Sequence, residues 1–156
     1  MSYVFDTSPL STLFRNFYPA VFHQLWHDFD DLVDDSHILS TREVRREIEN
    51  SPLKRMREWA AQHPGLFPSP TSDEAQFVAK IFQVPHFQNN IEGKKLLKGG
   101  TLADPFVIAR TAVADATVVT METLKPNASD IPNICQHFDV ECVSLEGFMK
   151  AEDWQF

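Results

Sequence analysis

The sequence predicts an α/β fold, with a parallel sheet covered by helices. Three observations predict it. Short runs that are apolar on both faces, such as Tyr3-Val4-Phe5 and Thr117-Val118-Val119-Thr120, read as buried strands. Amphipathic helical stretches stand between them, and Pro-rich or polar breaks separate the two kinds of segment. Strands covered on both faces lose the apolar–polar alternation of a half-exposed sheet, and regular strand–helix alternation favours parallel connections.

Tyr3-Val4-Phe5-Asp6 is the first strand and ends at a carboxylate. Thr7-Ser8-Pro9 follows, with Ser8 in the role of N-cap and Pro9 as the first helical residue. Leu10, Leu13, Phe14 and Phe17 continue at helical spacing until Pro19 breaks it, and a second helix fits Val21 to Leu32 through Phe22, Leu25, Trp26 and Phe29. His37 to Ser40 is the next strand, followed by helical stretches from Thr41 to Asn50 and from Pro52 through Trp59. Three prolines and a glycine make His63 to Ser72 a loop. Glu74 to Phe82 is a modest helix, and Pro85 to Gly100 has no clear pattern. Asp104-Pro105 opens a strong helix through Phe106, Ile108, Ala109 and Ala112 that leads into the Thr117–Thr120 strand. Lys125 to Pro132 reads as a loop, Ile134 to Phe138 as a short helix and Glu141-Cys142-Val143 as the last strand, after which Ser144 caps a C-terminal helix. There is no internal repeat and no low-complexity tract.

The 156 residues fit a single domain, and 43% hydrophobic with 23% charged residues is an ordinary globular composition. No apolar run reaches the ~18–20 residues that span a bilayer. The first residues lack both the basic start and the apolar stretch of a secretory signal, so a cytoplasmic location is expected. Cys135 and Cys142 cannot build a disulfide framework, and no C-x-x-C pair suggests zinc. A net charge of −8 argues against indiscriminate nucleic-acid binding. It leaves room for an enzyme that grips phosphate locally, through metal ions and a small basic patch.

Ligands of open α/β sheets bind outside the carboxyl ends of the strands. Asp6 stands at one such end and Glu122 just past another, while Asp104 starts the helix feeding the second strand. Glu47 follows Val44 by three residues and precedes Ile48, which puts it at the edge of a buried helical stripe. Four acids from separate segments can therefore meet at one rim, where bare carboxylates would repel one another and a divalent cation would relieve them. Mg²⁺ and Mn²⁺ prefer carboxylate and water oxygens. Taken singly, each acid also has a structural reading: Asp104 as a helix cap, Asp6 as an anion near a helix N-terminus, Glu47 as a partner of Arg42 or Arg46, and Glu122 as a loop charge.

Four segments in this order resemble the PIN-domain family: Tyr-Val-Phe-Asp-Thr-Ser at 3–8, Glu-Val-Arg-Arg-Glu-Ile at 43–48, Ala-Asp-Pro-Phe-Val-Ile-Ala at 103–109 and Val-Val-Thr-Met-Glu at 118–122. The tail at 125–142 resembles a PIN-like branch whose members are described as a domain of unknown function and read as toxins of the VapC kind. The resemblance covers nearly the whole chain and is weakest around 63–100. It departs from the common pattern in having Glu122 where most PIN domains have Asp. Of the two glutamates in the 43–48 helix it favours Glu47, since an apolar residue follows.

This likeness implies a three-layer α/β/α sandwich and metal-dependent endonucleolytic cleavage of RNA. Asp6, Glu47, Asp104 and Glu122 would be the catalytic acids and metal ligands, for Mg²⁺ or Mn²⁺, with Ser8 orienting Asp6 or a bound water and Thr120 shaping the site. It further implies an RNA substrate, 5′-phosphate and 3′-hydroxyl product ends, and a cognate antitoxin protein as partner. No membrane is involved, and a homodimer is allowed without being specified.

Lys94, Lys95 and Lys98 beside Gly99-Gly100 form a basic loop that could guide an RNA backbone. The arginines of 42–46 with Lys54, Arg55 and Arg57 read better as a solvated face paired with glutamates. Rival chemistries fit less well. His23-Gln24-Leu25-Trp26-His27 has zinc-helix spacing but lacks the glutamate base, and the aspartates of 28–35 lack a calcium loop's glycine. Ser8 replaces the second aspartate that a haloacid-dehalogenase-like phosphatase needs. A PIN fold whose acids serve only as caps, acting as a binding module, remains the alternative.

Overall fold

The computed structural model describes residues 1–97 and 102–156. Strand β1 is Tyr3–Phe5, followed by helices α1 (Thr7–Asn16) and α2 (His23–Asp34) and strand β2 (Ile38–Leu39). Helices α3 (Arg42–Glu49) and α4 (Lys54–Gln62) lead to a 3-10 turn at Pro64–Leu66, then to α5 (Ser72–Phe82), α6 (Pro85–Leu97) and α7 (Asp104–Ala114). The chain closes with β3 (Thr117–Val119), α8 (Ile131–Phe138), β4 (Glu141–Val143) and α9 (Leu145–Ala151).

The strands form one parallel sheet in the order β2-β1-β3-β4. Val4 lies opposite Leu39 on one side and Val118 on the other, and Val118 in turn opposite Cys142. Right-handed crossovers place helices by the direction of travel. The step from β1 to β2 runs one way along the sheet, and the steps to β3 and β4 run the other way. Helices α1 and α2 therefore cover one face and α7 and α8 the opposite face. Ring contacts agree. Tyr3 and Phe5, which share a face, meet Phe148 of α9 at 4.7 and 5.0 Å, and Phe5 meets Phe29 of α2 at 5.6 Å. Helix α7 touches β1 and β3 while packing on α5 and α8. The result is the expected α/β/α sandwich.

Every strand hands over to a polar residue at its carboxyl end: Asp6, Ser40, Thr120 and Ser144. Ladder bonds continue through them, from the Asp6 N–H to Val119 O (3.0 Å) and from the Thr120 N–H to Val143 O (3.1 Å). The Ser40 hydroxyl donates to Phe5 O at 2.8 Å. The outer edge of β2 is extended and covered by the 66–68 segment, whose Leu66 and Pro68 carbonyls accept from the Ser40 and Arg42 amides. Helices α7 and α8 stop at Asp115 and Asp139, each in the left-handed conformation that commonly ends a helix, so the chain turns into β3 and β4 without glycine.

Several boundaries differ from the sequence expectation. Helix α1 begins at Thr7, so Asp6 rather than Ser8 holds the N-cap position. Helix α2 starts at His23 because Tyr18–Phe22 closes a turn, with the Phe22 N–H on Tyr18 O and its ring 5.3 Å from Phe17. Helix α5 starts two residues before Glu74, at Ser72, because Thr71 and Glu74 form a capping box. The patternless stretch after Pro85 is helical to Leu97. Helix α8 begins at Ile131 instead of Ile134, since Pro132 in the first turn lacks only an N–H that would have no helical partner.

Phe148 is fully buried and edge-on to both Tyr3 and Phe5. Phe148→Ala is therefore expected to cost about 3–5 kcal/mol. Urea denaturation of the two proteins measures it, and a loss below about 1 kcal/mol would contradict this packing.

Candidate active site at the carboxyl end of the sheet

Asp6 leaves β1 at the centre of the sheet and is 5% exposed. Two hydroxyls bind the same carboxylate oxygen. Thr120, at the end of β3, donates to Asp6 Oδ2 at 3.1 Å, and Ser8, in the first turn of α1, donates to it at 3.3 Å. Each hydroxyl is itself oriented by a backbone amide, Thr120 by the Glu122 N–H (3.2 Å) and Ser8 by the Met121 N–H (3.1 Å). The turn after β3 and the start of α1 are thus sewn together through one carboxylate.

Burial is the main force on Asp6, and it pushes the carboxyl up to about 6. Negative charge on Glu122, and more weakly on Glu47, pushes the same way. The Thr7 amide and the Thr120 hydroxyl pull back but do not win.

Glu47 reaches the same place from α3. The Thr7 hydroxyl donates to its Oε1, and the Ala103 amide approaches Oε2 at 3.4 Å. Asp104, 4% exposed, is the first residue of α7, and Lys94 Nζ of α6 stands 3.9 Å from its Oδ2. The helix cap position belongs to Ala103 and carries no side-chain bond, so Asp104 is not the N-cap that its place before Pro105 suggests. Glu122 accepts the Ile131 amide at 3.0 Å and so caps α8 from outside.

A cavity of about 470 Å³ opens where these segments meet, lined by Asp6, Thr7, Ser8, Glu47, Asn50, Asp104 and Glu122. All four acids singled out from the sequence line it, with Ser8. Thr120 acts from behind, through Asp6. Thr7 and Asn50 were not anticipated. Thr7 was legible as a hydroxyl next to the strand-ending acid, and Asn50 as the residue three after Glu47 on the same helical face.

Glu43 lies elsewhere, 7% exposed, with Arg42 Nε on its Oε2 at 2.9 Å. The Oε1 of Glu43 is buried without a hydrogen-bond partner, and nothing in the structure explains it.

The basic residues are placed differently from the expected loop. Lys94 and Lys95 belong to helix α6, and Lys98 lies outside the described residues. Lys94 Nζ donates to Ser129 O at 2.8 Å and to Asp130 Oδ1 at 3.0 Å, whereas Lys95 Nζ lies 5.9 Å from the centre of the Phe82 ring. Arg45 pairs with Glu49 and Lys54 with Glu58, as a solvated face would. On α2, His27 faces Asp28 and Asp31, and Gln24 bonds Asp28.

Among the described residues, no three acids, histidines or cysteines converge tightly enough to form a ready metal cage. The donor set still suits one kind of ion. Four carboxylates, with the Thr7 and Ser8 hydroxyls and the Asn50 amide, surround an open cavity, and Mg²⁺ or Mn²⁺ binds through one or two carboxylates while keeping several waters.

A family model described as domain of unknown function (DUF4411) matches residues 3–156. No curated relative matches the chain. A crystal structure of VapBC2 from Rickettsia felis, bound to a DNA fragment from its promoter, is similar over 92% of this chain and 98% of that chain, at 11% identity and a TM-score of 0.48. Overlap of that quality says nothing about activity.

The raised Asp6 carboxyl has a definite sign in stability. Between its ordinary value of 3.8 and about 6, the folded state holds a proton that the unfolded state has released. Asp6 therefore favours folding most at low pH, and that contribution is lost as pH rises through about 6. In metal-free buffer, Asp6→Asn should melt above wild type at pH 7.5, with the gap shrinking toward pH 4.5. Thermal scans across this range measure it, and a gap that stays constant with pH would show that Asp6 is not forced toward its protonated form.

Proposed function

The chain belongs to the DUF4411 family, and from the site it carries we propose that it is a Mg²⁺- or Mn²⁺-dependent endoribonuclease, the toxin of a toxin–antitoxin pair. One observation carries the nuclease reading: four carboxylates from four separate segments line a single cavity at the carboxyl end of a parallel sheet. A buried Asp6 among them is costly without a cation. The choice of RNA and the antitoxin partner rest on the sequence resemblance to PIN-domain toxins.

Asp6 and Asp104, both buried, are the residues that would hold the ion, with half-buried Glu47 and Glu122 beside them. A bound divalent cation supplies a Lewis acid and makes a coordinated water acidic near neutral pH. The chain's own groups do the rest. Ser8 and Thr120 hold one Asp6 oxygen so that it need not reorganise, and the Thr7 hydroxyl does the same for Glu47. Glu47, at the cavity wall, is the base we assign to the attacking water. In-line hydrolysis would release the 3′ oxygen and leave 5′-phosphate and 3′-hydroxyl ends.

A second reading has its own support. Glu122 caps α8 and Glu47 receives the Ala103 amide, so both have structural work in a binding module without catalysis. Cleavage separates the two. With Mn²⁺ and an unstructured RNA, Glu47→Gln should lower the rate by roughly 10²-fold or more, a barrier increase of about 2.7 kcal/mol. Glu43→Gln should change it less than about threefold, because Glu43 lies outside the cavity. Equal losses, or no cleavage by the wild type, would favour the binding module.

Millimolar Mn²⁺ should raise the melting temperature of wild type by linkage, and much less so for Asp6→Asn. An unchanged wild-type transition would count against a metal site. Induced expression should arrest growth for wild type and not for Asp6→Asn, and equal growth of the two cultures would remove the toxin reading.

A further inference from the structure

Cys135 in α8 and Cys142 in β4 sit on two elements packed against each other and face the same cavity. Cys135 is 1% exposed and Cys142 is half-buried. Both line a second cavity, of about 380 Å³, together with Leu124, Gln136 and Glu122. Glu122 is the one residue shared with the acidic cavity, and it also holds the first amide of the helix that carries Cys135. Exposed Gln136, Glu141 and Ser144 at the margin of this cavity open it to small reagents from solvent.

We propose that Cys135 and Cys142 form a reversible oxidation site, closed by peroxide into an intramolecular disulfide that disturbs Glu122 and weakens the acidic site. The sulfur of Cys142, reached from the cavity, attacks one peroxide oxygen. The O–O bond breaks, giving a sulfenic acid on Cys142 and one water. Cys135 sulfur then attacks the Cys142 sulfur, the S–O bond breaks, and that oxygen leaves as a second water with the Cys135 proton. Two thiols and one peroxide become one disulfide and two waters, with two electrons passing from sulfur to oxygen.

The bond has a mechanical consequence. Disulfide sulfurs lie ~2.05 Å apart, well inside the contact distance of two free thiols, so forming the bond must draw α8 and β4 together. Cys135 is one helical turn after Ile131, and the Val140 amide ties its carbonyl to the strand that follows (2.9 Å). Pulling Cys135 toward β4 therefore draws on the Ile131 amide, 3.0 Å from Glu122 Oε2. The disulfide itself is independent of the proposed nuclease; its effect on the acidic site rests on that reading.

The test treats the full chain with hydrogen peroxide in metal-free buffer, removes the excess with catalase, and reads intact mass, free thiols and peptide map under non-reducing conditions. The Mn²⁺-induced melting shift and RNA cleavage are then measured before and after dithiothreitol. The expected wild-type result is a monomer two hydrogens lighter, with a 135–142 bridge and a melting shift at least halved, restored by dithiothreitol. Cys142→Ser should keep its Mn²⁺ response through the same treatment. Surviving thiols, bridges only between chains, or a bridge that leaves the Mn²⁺ shift unchanged would each overturn the proposal. If the reduced chain neither cleaves RNA nor responds to Mn²⁺, the nuclease reading fails, and so does the link to Glu122. The mass and peptide map then judge the thiol pair alone.

Discussion

The carboxyl end of the sheet is organised around a buried carboxylate at the end of its central strand. Asp6 cannot leave, because its backbone continues the β1–β3 ladder through Val119 O. A charge held there loses its hydration, and interior groups must replace it. The replacements are the Thr120 and Ser8 hydroxyls, each fixed by an amide of the 121–122 turn. They do not cancel the desolvation, which is why the carboxyl stays pushed upward. Ionising Asp6 in this setting therefore costs free energy that an exposed carboxylate would not.

The sheet makes such a place almost unavoidable. In a parallel sheet the carboxyl ends of all strands lie on one edge, and helices begin or end just beyond them. In this chain the strands end at Asp6, Ser40, Thr120 and Ser144, so the edge is polar by construction while the strands themselves are apolar. Helix starts then bring further groups in. Asp104 opens α7, and Thr7 opens α1 and turns its hydroxyl on Glu47.

The acids are not equivalent. Asp6 and Asp104 are buried, and Lys94 gives Asp104 a cation nearby while also bridging to Asp130 and the Ser129 carbonyl. Glu47 and Glu122 are half-buried, and each accepts a backbone amide from a different segment. The two glutamates therefore join the cavity to the frame around it, to the residues before α7 and to the start of α8. Through α8 the same chain of contacts reaches Cys135 and Cys142, in the neighbouring cavity that Glu122 also lines.

The fold class was legible in local pattern alone, because strand runs apolar on both faces can satisfy their burial only inside a helix-covered sheet. So were the strand-ending acid, the buried stripe of α3 that carries Glu47, and the helix start at Asp104, since these follow from local periodicity and from Pro and hydroxyl positions. What those residues meet emerged only once the chain was folded. Thr7 as the partner of Glu47, Asn50 in the cavity wall, Glu122 as a cap for α8, Lys94 against Asp104 and the two cysteines in one cavity all join residues from separate elements. The α6 helix and the early start of α8 were hidden for a related reason: α6 has no strong apolar face of its own, and Pro132 reads as a break unless it is known to sit in a first turn. Local pattern sets which face a residue takes, but its partner across the fold is chosen by how the helices close over the sheet.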